Sequence, residues 1–237
     1  MPSANLTMLD GEIVKPIQKD PFSDSYEKFL AEIWKEGLLS TKEKMLILIG
    51  VYSSKGWVHF VQDFLSEQIK SLNIKSEEIM EILKAVVLSR GVTPLIDGIE
   101  LLDGLVGSEG SIGRGAEAPN LKSAEEIMDY FRIRFSEVPA WIETLGKKFP
   151  VMLQNYHRMR SNSVDEVLLP RRVKELVLVA VNAAGLYDEG MRIHMNGALQ
   201  SGAPKEEILE ALLVAAIVGG IVSWIAGITV MKEIKIL

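Results

Sequence analysis

One pattern occurs twice along the chain, and this internal repeat narrows the possible folds more than any other feature of the sequence. Residues 74–83 match residues 203–212 at an offset of 129, and residues 44–49 match residues 174–179 at an offset of 130. Two pairs of glycines keep the first offset, Gly91 with Gly220 and Gly98 with Gly227. Agreement over about 55 positions is typical of a duplicated unit whose copies pack together to bury a shared core.

The repeat divides the chain into four parts. We predict a polar N-terminal arm over residues 1–24, a first helical repeat over 25–103 and a second repeat over 121–237. Residues 104–120, between the repeats, are rich in glycine and serine, which is typical of a linker. The glycines of this linker follow no predicted strand and precede no Gly-Lys-Ser/Thr, so a phosphate-binding loop is not expected.

Both repeats carry the residue spacing of α-helices. In the second repeat, apolar residues recur three and four positions apart, and most positions between them are apolar as well. The spaced residues are Val173, Leu176, Val177, Ala180 and Ala184. A helix that is apolar all round lies in the centre of a bundle. No segment alternates between apolar and polar residues for long enough to indicate a sheet. The sequence therefore predicts an all-α fold, a helical bundle of two tandem repeats.

Residues that favour helix ends predict where the helices begin and end. Pro170 suits the first turn of the apolar helix, and Gly185 suits its end. The next helix is expected from about 188 to 201, and a third is expected to begin at Pro204, with acidic residues in its first turn. In the first repeat, Ser76 is expected to cap the equivalent helix, because two glutamates follow it.

The C-terminal part contains an uncharged stretch of 21 residues, from Ala211 to Met231, which is long enough to span a membrane. The equivalent segment of the first repeat carries Lys84, Arg90 and Asp97, which a lipid-facing helix tolerates only at a high energetic cost. We therefore expect two helices buried in protein and no membrane association. The N-terminus has no cationic start followed by an apolar core, so we expect no secretory signal and a cytoplasmic location.

Composition excludes several classes of function. The 26 basic and 32 acidic residues give a net charge of −6, so nucleic-acid binding is not expected. The chain has no cysteine, which removes disulfides, iron–sulfur clusters and every thiol-based mechanism. Its three histidines do not stand at a metal-binding spacing, so we predict no metal site.

A carboxylate and an imidazole in the second repeat are the candidate catalytic groups. Glu175 lies on the predicted apolar helix, and His194 follows 19 residues later on the next helix. A buried carboxylate is energetically unfavourable unless it is paired or protonated, so Glu175 requires a partner. Small residues share the helix face of His194, which leaves room for another helix or a ligand. We therefore predict that Glu175 and His194 meet at a shared cavity.

Structural roles for these residues remain open from the sequence. Glu175 could pair with Arg171 or Arg172 at the start of its helix. His194 could be a core histidine bonded to a neighbouring carbonyl. The basic residues nearby could be a solvated surface or a subunit contact rather than a substrate clamp, and Tyr187 could be only a packing aromatic.

The residues around His194 resemble the carboxymuconolactone decarboxylase and alkylhydroperoxidase-D-like superfamily. The resemblance is clear from Leu169 to about Ile228 and weaker over residues 39–102. It rests on a histidine followed at regular spacing by alanine, glycine and a Glu-Glu-Ile run, namely His194, Ala198, Gly202, Glu206, Glu207 and Ile208. The resemblance implies the helical bundle of the superfamily and, for a chain with two repeats, a homotrimer or a larger ring. A mean hydropathy of +0.17 fits a chain that buries further surface between its copies.

The resemblance also separates two branches of the superfamily. The peroxidase branch has two cysteines between its Glu and its His, where this chain has Tyr187 and Gly190. A thiol peroxidase mechanism is therefore not expected, and the sequence looks closer to the decarboxylase branch, which does not require those cysteines. In the first repeat the Glu position is Met45 and the His position falls at Phe64 or Leu65, so that copy is expected to have lost its site.

The resemblance implies a cofactor-free lyase or isomerase that acts on a small carboxylated lactone or a related acid. In this interpretation Glu175 orients His194, and His194 transfers a proton. The candidate substrate-binding residues are Tyr187, Arg171, Arg172 and Arg192, since the carboxylates of such a substrate require cations. Two alternatives remain, namely thiol-type peroxide reduction, which the absent cysteines argue against, and a non-catalytic ligand-binding or scaffold protein.

Overall fold

The computed structural model describes residues 20–105, 123–135 and 137–237 of the chain. Within these ranges every regular element is helical and no strand occurs, which confirms the predicted all-α fold. Most of the predicted N-terminal arm and of the predicted linker, residues 1–19 and 106–120, lies outside the described residues. The helices are α1 (Pro21–Trp34), α2 (Thr41–Lys55), α3 (Gln62–Ser71), α4 (Ser76–Arg90), α5 (Thr93–Leu105), α6 (Ala124–Phe135), α7 (Ala140–Lys148), α8 (Pro150–Val164), α9 (Arg171–Ala184), α10 (Asp188–Gln200), α11 (Lys205–Gly219) and α12 (Ile221–Glu233), with a short 3-10 turn (Val58–Val61) before α3.

Helices α2 and α9 pack against each other at the centre of the bundle. Residues 173–184 of α9 and residues 44–51 of α2 are all buried. Gly50 of α2 lies against α9, where a Cβ would come within 2.6 Å of Cγ1 of Val177. The two helices can approach this closely because position 50 has no side chain. The apolar helix of the second repeat is therefore central, as its residue pattern indicates.

Two lysine–glutamate contacts connect the halves of the bundle reciprocally. Nζ of Lys44 on α2 lies 3.0 Å from Oε2 of Glu210 on α11, and Nζ of Lys174 on α9 lies 2.9 Å from Oε2 of Glu81 on α4. Each carboxylate also accepts two backbone N–H bonds from the loop before its lysine's helix, from Leu38 and Leu39 for Glu210 and from Leu168 and Leu169 for Glu81. The two lysines, and likewise the two glutamates, occupy equivalent positions of the predicted repeat. These contacts therefore have the symmetry expected of two packed copies.

The predicted helix starts lie close to those observed, with one correction. Pro170 and Pro204 are the N-cap residues of α9 and α11. Ser76 is not the cap of α4, because it is already the first helical residue and Lys75 precedes it as the cap. The backbone N–H of Lys75 donates to the carboxylate of Glu78 at 2.8 Å. The glutamate, rather than the serine, therefore satisfies this helix end.

The uncharged C-terminal stretch is divided between two helices, as predicted. Helix α11 ends at Gly219 and α12 begins at Ile221. Gly220 between them has a φ of +73°, a backbone conformation that favours glycine. Within the ranges that the structure covers, no helix combines the length and the apolar character needed to cross a bilayer.

A smaller apolar cluster joins α6, α7 and α8 beside the main core. Its buried members are Ile127, Phe131, Ile142 and Leu153. Helix α8 also packs against α4 and contacts α9, so it connects this cluster to the main core. As a result, the buried side of α8 faces the N-terminal half of α9, where Glu175 lies.

Candidate active site

Glu175 and His194 are in contact in the interior of the second repeat. Oε2 of Glu175 on α9 lies 2.8 Å from Nδ1 of His194 on α10. Glu175 is fully buried, and only 7% of His194 is exposed. The structure thus brings together the two groups that the sequence placed 19 residues apart. Their catalytic role remains a prediction.

The contact forms because α10 presents small residues to α9. Gly197, three residues after His194, lies directly against Glu175, where a Cβ would be 2.6 Å from the carboxyl carbon. Gly190 lies in the same way against Asn182 of α9, where a Cβ would be 2.7 Å from Oδ1. A larger residue at either position would require the facing polar side chain to move.

The second oxygen of Glu175 binds arginine. Oε1 accepts hydrogen bonds from Nε and Nη2 of Arg171 at 3.2 and 3.1 Å. Nη2 of Arg160, a buried residue of α8, lies 3.7 Å from the same oxygen. Arg171 also donates from Nη1 to Asp165 at 2.7 Å. Glu175 therefore contacts both Arg171 and His194, so the pairing with arginine and the pairing with histidine occur together.

Glu175 is ionised at neutral pH. Burial by itself raises the pKa of this carboxyl, but the hydrogen bond from His194 and the charges of His194, Arg160 and Arg171 outweigh burial and lower the pKa to about 2. An ionised carboxylate can only accept hydrogen bonds, so Nδ1 of His194 carries a proton in this contact. No described residue hydrogen-bonds to Nε2, which is therefore the ring atom that can exchange a proton with a ligand.

Tyr156 of α8 lies next to this pair. Burial raises the pKa of its hydroxyl, the charge of Arg160 lowers it, and Tyr187 and Glu175 raise it, so all three lie near the phenol. The Tyr156 ring packs edge-on against Trp141, with 5.2 Å between the ring centroids. No spacing in the sequence singled out Tyr156, because only the packing of α8 connects it to α9.

Arg171 and Tyr187, two of the predicted substrate-binding residues, differ in their relation to the pair. Arg171 contacts it directly, but its guanidinium is already bound by Glu175 and Asp165. Tyr187 is the residue before α10, is 47% exposed and lies on the side of Tyr156. Of these two, only Tyr187 presents a large exposed surface to a ligand.

The other two predicted substrate-binding residues, Arg172 and Arg192, do not contact the pair. Each forms ion pairs with two other carboxylates, Arg172 with Glu43 and Glu207, and Arg192 with Glu189 and Glu233. Successive residues of a helix point about 100° apart, so Arg172 and Arg171 lie on different sides of α9. The role of both residues in substrate binding remains a prediction that these contacts do not support.

The equivalent positions of the first repeat are filled by the apolar core. Met45 and Leu65 are fully buried there, and Phe64 packs against the same core. A thioether and a hydrocarbon can neither orient an imidazole nor transfer a proton. Any site of this kind is therefore confined to the second repeat.

The acidic groups at the pair do not form a metal site. In the part of the chain that the structure describes, no cluster of three or more His, Asp or Glu side chains could hold a metal ion. The two carboxylates here, Asp165 and Glu175, both bind Arg171. The arginine thus occupies the oxygens that a cation would use.

The chain matches a family profile and is similar to a solved structure. The sequence profile of the Carboxymuconolactone decarboxylase family matches residues 150–233, which include Glu175 and His194. A crystal structure from Burkholderia xenovorans LB400, described as that of a candidate gamma-carboxymuconolactone decarboxylase subunit, has a TM-score of 0.61 and 23% sequence identity over 90% of this chain and 86% of that chain. That likeness shows the fold. No curated protein matches the sequence. The family match confirms the resemblance that the run beginning at His194 indicates.

Proposed function

We propose that the chain, whose residues 150–233 match the profile of the carboxymuconolactone decarboxylase family, is a cofactor-free lyase or isomerase acting on a small carboxylated lactone or a related acid. Glu175 orients His194, and Nε2 of His194 transfers the proton. The observation that carries the proposal is the buried 2.8 Å contact between Oε2 of Glu175 and Nδ1 of His194, which leaves Nε2 available to a ligand.

Decarboxylation of such an acid requires a proton at one defined step. The bond between the carboxylate carbon and the substrate breaks, carbon dioxide leaves, and the electron pair remains on the substrate as an enolate-like anion. This anion takes a proton from Nε2 of the protonated imidazole, and a C–H bond forms. The neutral imidazole then regains a proton from water, so one proton is consumed in each turnover. A positioned acid of this kind contributes about 10²- to 10⁴-fold in rate.

Glu175 supports the proton transfer by its charge and its position. Glu175 accepts a hydrogen bond from Nδ1 of His194, which holds the ring in one orientation. Arg171 and Arg160 help to keep the pKa of Glu175 low, so the proton stays on His194 instead of moving to the carboxylate. These charge interactions are stronger in the buried site than in water, because the local dielectric constant is lower.

The compound gamma-carboxymuconolactone, which appears in the name of the structural relative, is the first substrate to test. Turnover is measured as the release of carbon dioxide. We expect His194→Asn to lower kcat by about 10²- to 10⁴-fold, because the asparagine amide can still donate to Glu175 but has no counterpart of Nε2. His59→Asn, which changes an exposed histidine of the first repeat, is the matched control and should keep the kcat of the wild-type protein.

The same variants distinguish catalysis from a structural role. If His194→Asn kept the kcat of the wild-type protein, the proposed proton transfer would be rejected. If the wild-type protein released no carbon dioxide and His194→Asn only lowered the melting temperature, the pair would be structural. The chain would then be a ligand-binding or scaffold protein.

A further inference from the structure

Two cations of the first repeat reach the C-terminal end of α9 in the second repeat. Arg90, the last residue of α4, donates from Nη2 to the backbone carbonyl of Val181 at 2.9 Å. Lys55, the last residue of α2, donates from Nζ to the backbone carbonyl of Ala184 at 2.7 Å. Gly185 makes room for them, because a Cβ at this position would collide with the guanidinium of Arg90. We call this place, formed by Arg90, Lys55 and the end of α9, the cationic corner.

Neither of these two cations is ion-paired with a carboxylate among the described residues, although Oδ2 of Asp97 lies near Gly56, the residue after Lys55. Neither Arg90 nor Lys55 forms an ion pair within 4.0 Å there. Burial lowers the pKa of both groups, and the charge of Arg90 lowers the pKa of Lys55 further. Arg171, Arg172 and Arg192, in contrast, each bind at least one carboxylate. The cationic corner therefore keeps two partly buried positive charges without an ion pair from this part of the chain.

The cationic corner is open to solvent and lies near the pair. Residues 185–188, between α9 and α10, are exposed. Val181, whose carbonyl binds Arg90, follows Glu175 by six residues on α9, or roughly 9 Å along the helix axis. His194 follows Tyr187 by about two helical turns, or roughly 10 Å along the axis of α10. This separation is comparable to the length of a small extended acid together with a hydrogen bond at each end.

The cations occur at only one of the two equivalent corners of the predicted repeat. At the offsets of the repeat, Gly219 takes the place of Arg90 and Gly185 takes the place of Lys55. The equivalent corner, at the C-terminal end of α2, therefore has neither of these cations. The first repeat, to which α2 belongs, also lacks the carboxylate–imidazole pair. If the cations served only to bind the free carbonyls at a helix end, we would expect them at the end of α2 as well as at the end of α9. The pairing of cations with the complete site therefore favours a role in binding.

We propose that Arg90 and Lys55 form a carboxylate-binding subsite of the site containing Glu175 and His194. This inference rests on the proposed function and adds the residues that hold the second carboxylate of the ligand. Each helix-end hydrogen bond uses one donor of its side chain. A guanidinium has five N–H donors and an ammonium has three, so both side chains keep donors for a carboxylate.

The subsite holds the carboxylate that the reaction retains. A cation bound to the departing carboxylate would stabilise the ground state more than the transition state and would slow the loss of carbon dioxide. With the retained carboxylate at Arg90, the carbon that takes up the proton can lie at Nε2 of His194. The site therefore prefers small diacids to monoacids of the same length.

Binding of adipate, a six-carbon diacid without a lactone ring, tests the subsite independently of turnover. Titration calorimetry on the full-length protein gives the Kd. We expect Arg90→Gln and Lys55→Gln each to weaken adipate binding at least tenfold, because each removes a charge-assisted contact, while Arg90→Lys keeps part of the affinity. Hexanoate, the monoacid of equal length, should bind the wild-type protein at least tenfold more weakly than adipate. Arg132→Gln, which removes an exposed arginine of α6 already paired with Asp129, is the matched control and should leave the Kd unchanged.

Each outcome separates the subsite from the proposed reaction. Arg90→Gln also loses a helix-end hydrogen bond, so its melting temperature can fall in either case, and the Kd is the measurement that decides. No adipate binding by the wild-type protein, or equal Kd values for Arg90→Gln and Arg132→Gln, would overturn the subsite whatever the lactone assay shows. Adipate binding that depends on Arg90, in a protein that releases no carbon dioxide from the lactone, would support the subsite and reject the lyase.

Discussion

Gly197 of α10 and Glu175 of α9 are in contact such that any side chain at 197 would displace the carboxylate. A Cβ at position 197 would lie 2.6 Å from Oε2 of Glu175, the same oxygen that binds His194. The absence of one methyl group therefore allows the carboxylate to reach the imidazole. Packing of the two helices and the chemistry of the pair depend on the same position.

Gly197→Ala should separate the carboxylate from the imidazole. Alanine favours an α-helix over glycine by about 1 kcal/mol, so the backbone effect of this change is stabilising. We nevertheless expect a net loss of about 1–3 kcal/mol in the free energy of unfolding, because the buried hydrogen bond is weakened. We also expect at least a tenfold loss of kcat on the lactone. Urea denaturation and the carbon dioxide assay measure the two effects.

Asn196→Ala, at the preceding residue of α10, is the control for Gly197→Ala and should change neither quantity to the same extent. A Gly197→Ala protein that is more stable than the wild type and has an unchanged kcat would show that the Glu175 carboxylate can move without consequence.

The reciprocal lysine–glutamate contacts should contribute similar amounts to stability. Glu81→Ala leaves the buried ammonium of Lys174 without its carboxylate and also removes the acceptor of two loop N–H groups. We expect a loss of about 3–5 kcal/mol in the free energy of unfolding, and a similar loss for Glu210→Ala through Lys44. Urea denaturation of Glu67→Ala, an exposed glutamate of α3, gives the control, expected within about 0.5 kcal/mol of the wild type. Equal urea midpoints for Glu81→Ala and Glu67→Ala would show that the contact does not stabilise the fold.

Residue types at fixed spacing predicted the parts of the structure that depend on local patterns. The apolar run of α9 indicated a central helix, and the small residues around His194 indicated a close approach to Glu175. Tyr156 and Arg160 could not be predicted in the same way. They reach the pair because α8 packs against α4 and α9, and this packing leaves no periodic pattern in the sequence.

The arginines show a second limit of reasoning from the sequence. Proximity along the chain predicted Arg171, Arg172 and Arg192 as one basic group, but a helix directs neighbouring side chains to different sides. Arg171 binds Glu175, whereas the other two bind carboxylates elsewhere. Arg90, which donates to the carbonyl of Val181 at the end of α9, is 91 residues before it in the sequence, so proximity along the chain could not connect the two.

The homotrimer or larger ring remains a prediction, and α12 offers a place to test it. Ile221, Val222 and Ile225 are 56%, 51% and 57% exposed, which is unusual for three apolar residues on one short segment. We expect light scattering to show an oligomer for the wild-type protein and a smaller mass for Ile225→Lys, because a charge opposes burial of this surface. Ile133→Lys changes an isoleucine of α6 that is 86% exposed and should keep the mass of the wild type. A monomeric wild-type protein at micromolar concentration would contradict the predicted assembly.

His157 of α8 should make the stability of the protein depend on pH. It is buried, neither ring nitrogen has a hydrogen-bond partner among the described residues, and its ring lies edge-on to Tyr130 with 5.0 Å between centroids. Burial and the charge of Arg160 lower the pKa of His157 from 6.5 to about 4. Between these two pH values the unfolded chain binds a proton at this histidine that the folded chain does not bind.

Because the unfolded state binds more protons, the contribution of His157 to the free energy of unfolding falls as the pH falls from about 6.5 towards 4, by up to about 3 kcal/mol. Urea denaturation at half-unit steps of pH measures this slope. His157→Leu and His157→Gln both remove the titrating group, so both should show a flatter slope over this range even though their stabilities at pH 7.5 differ. A slope as steep in the two variants as in the wild-type protein would mean that other groups cause the acid sensitivity and that His157 takes up a proton in the folded state as easily as in the unfolded state.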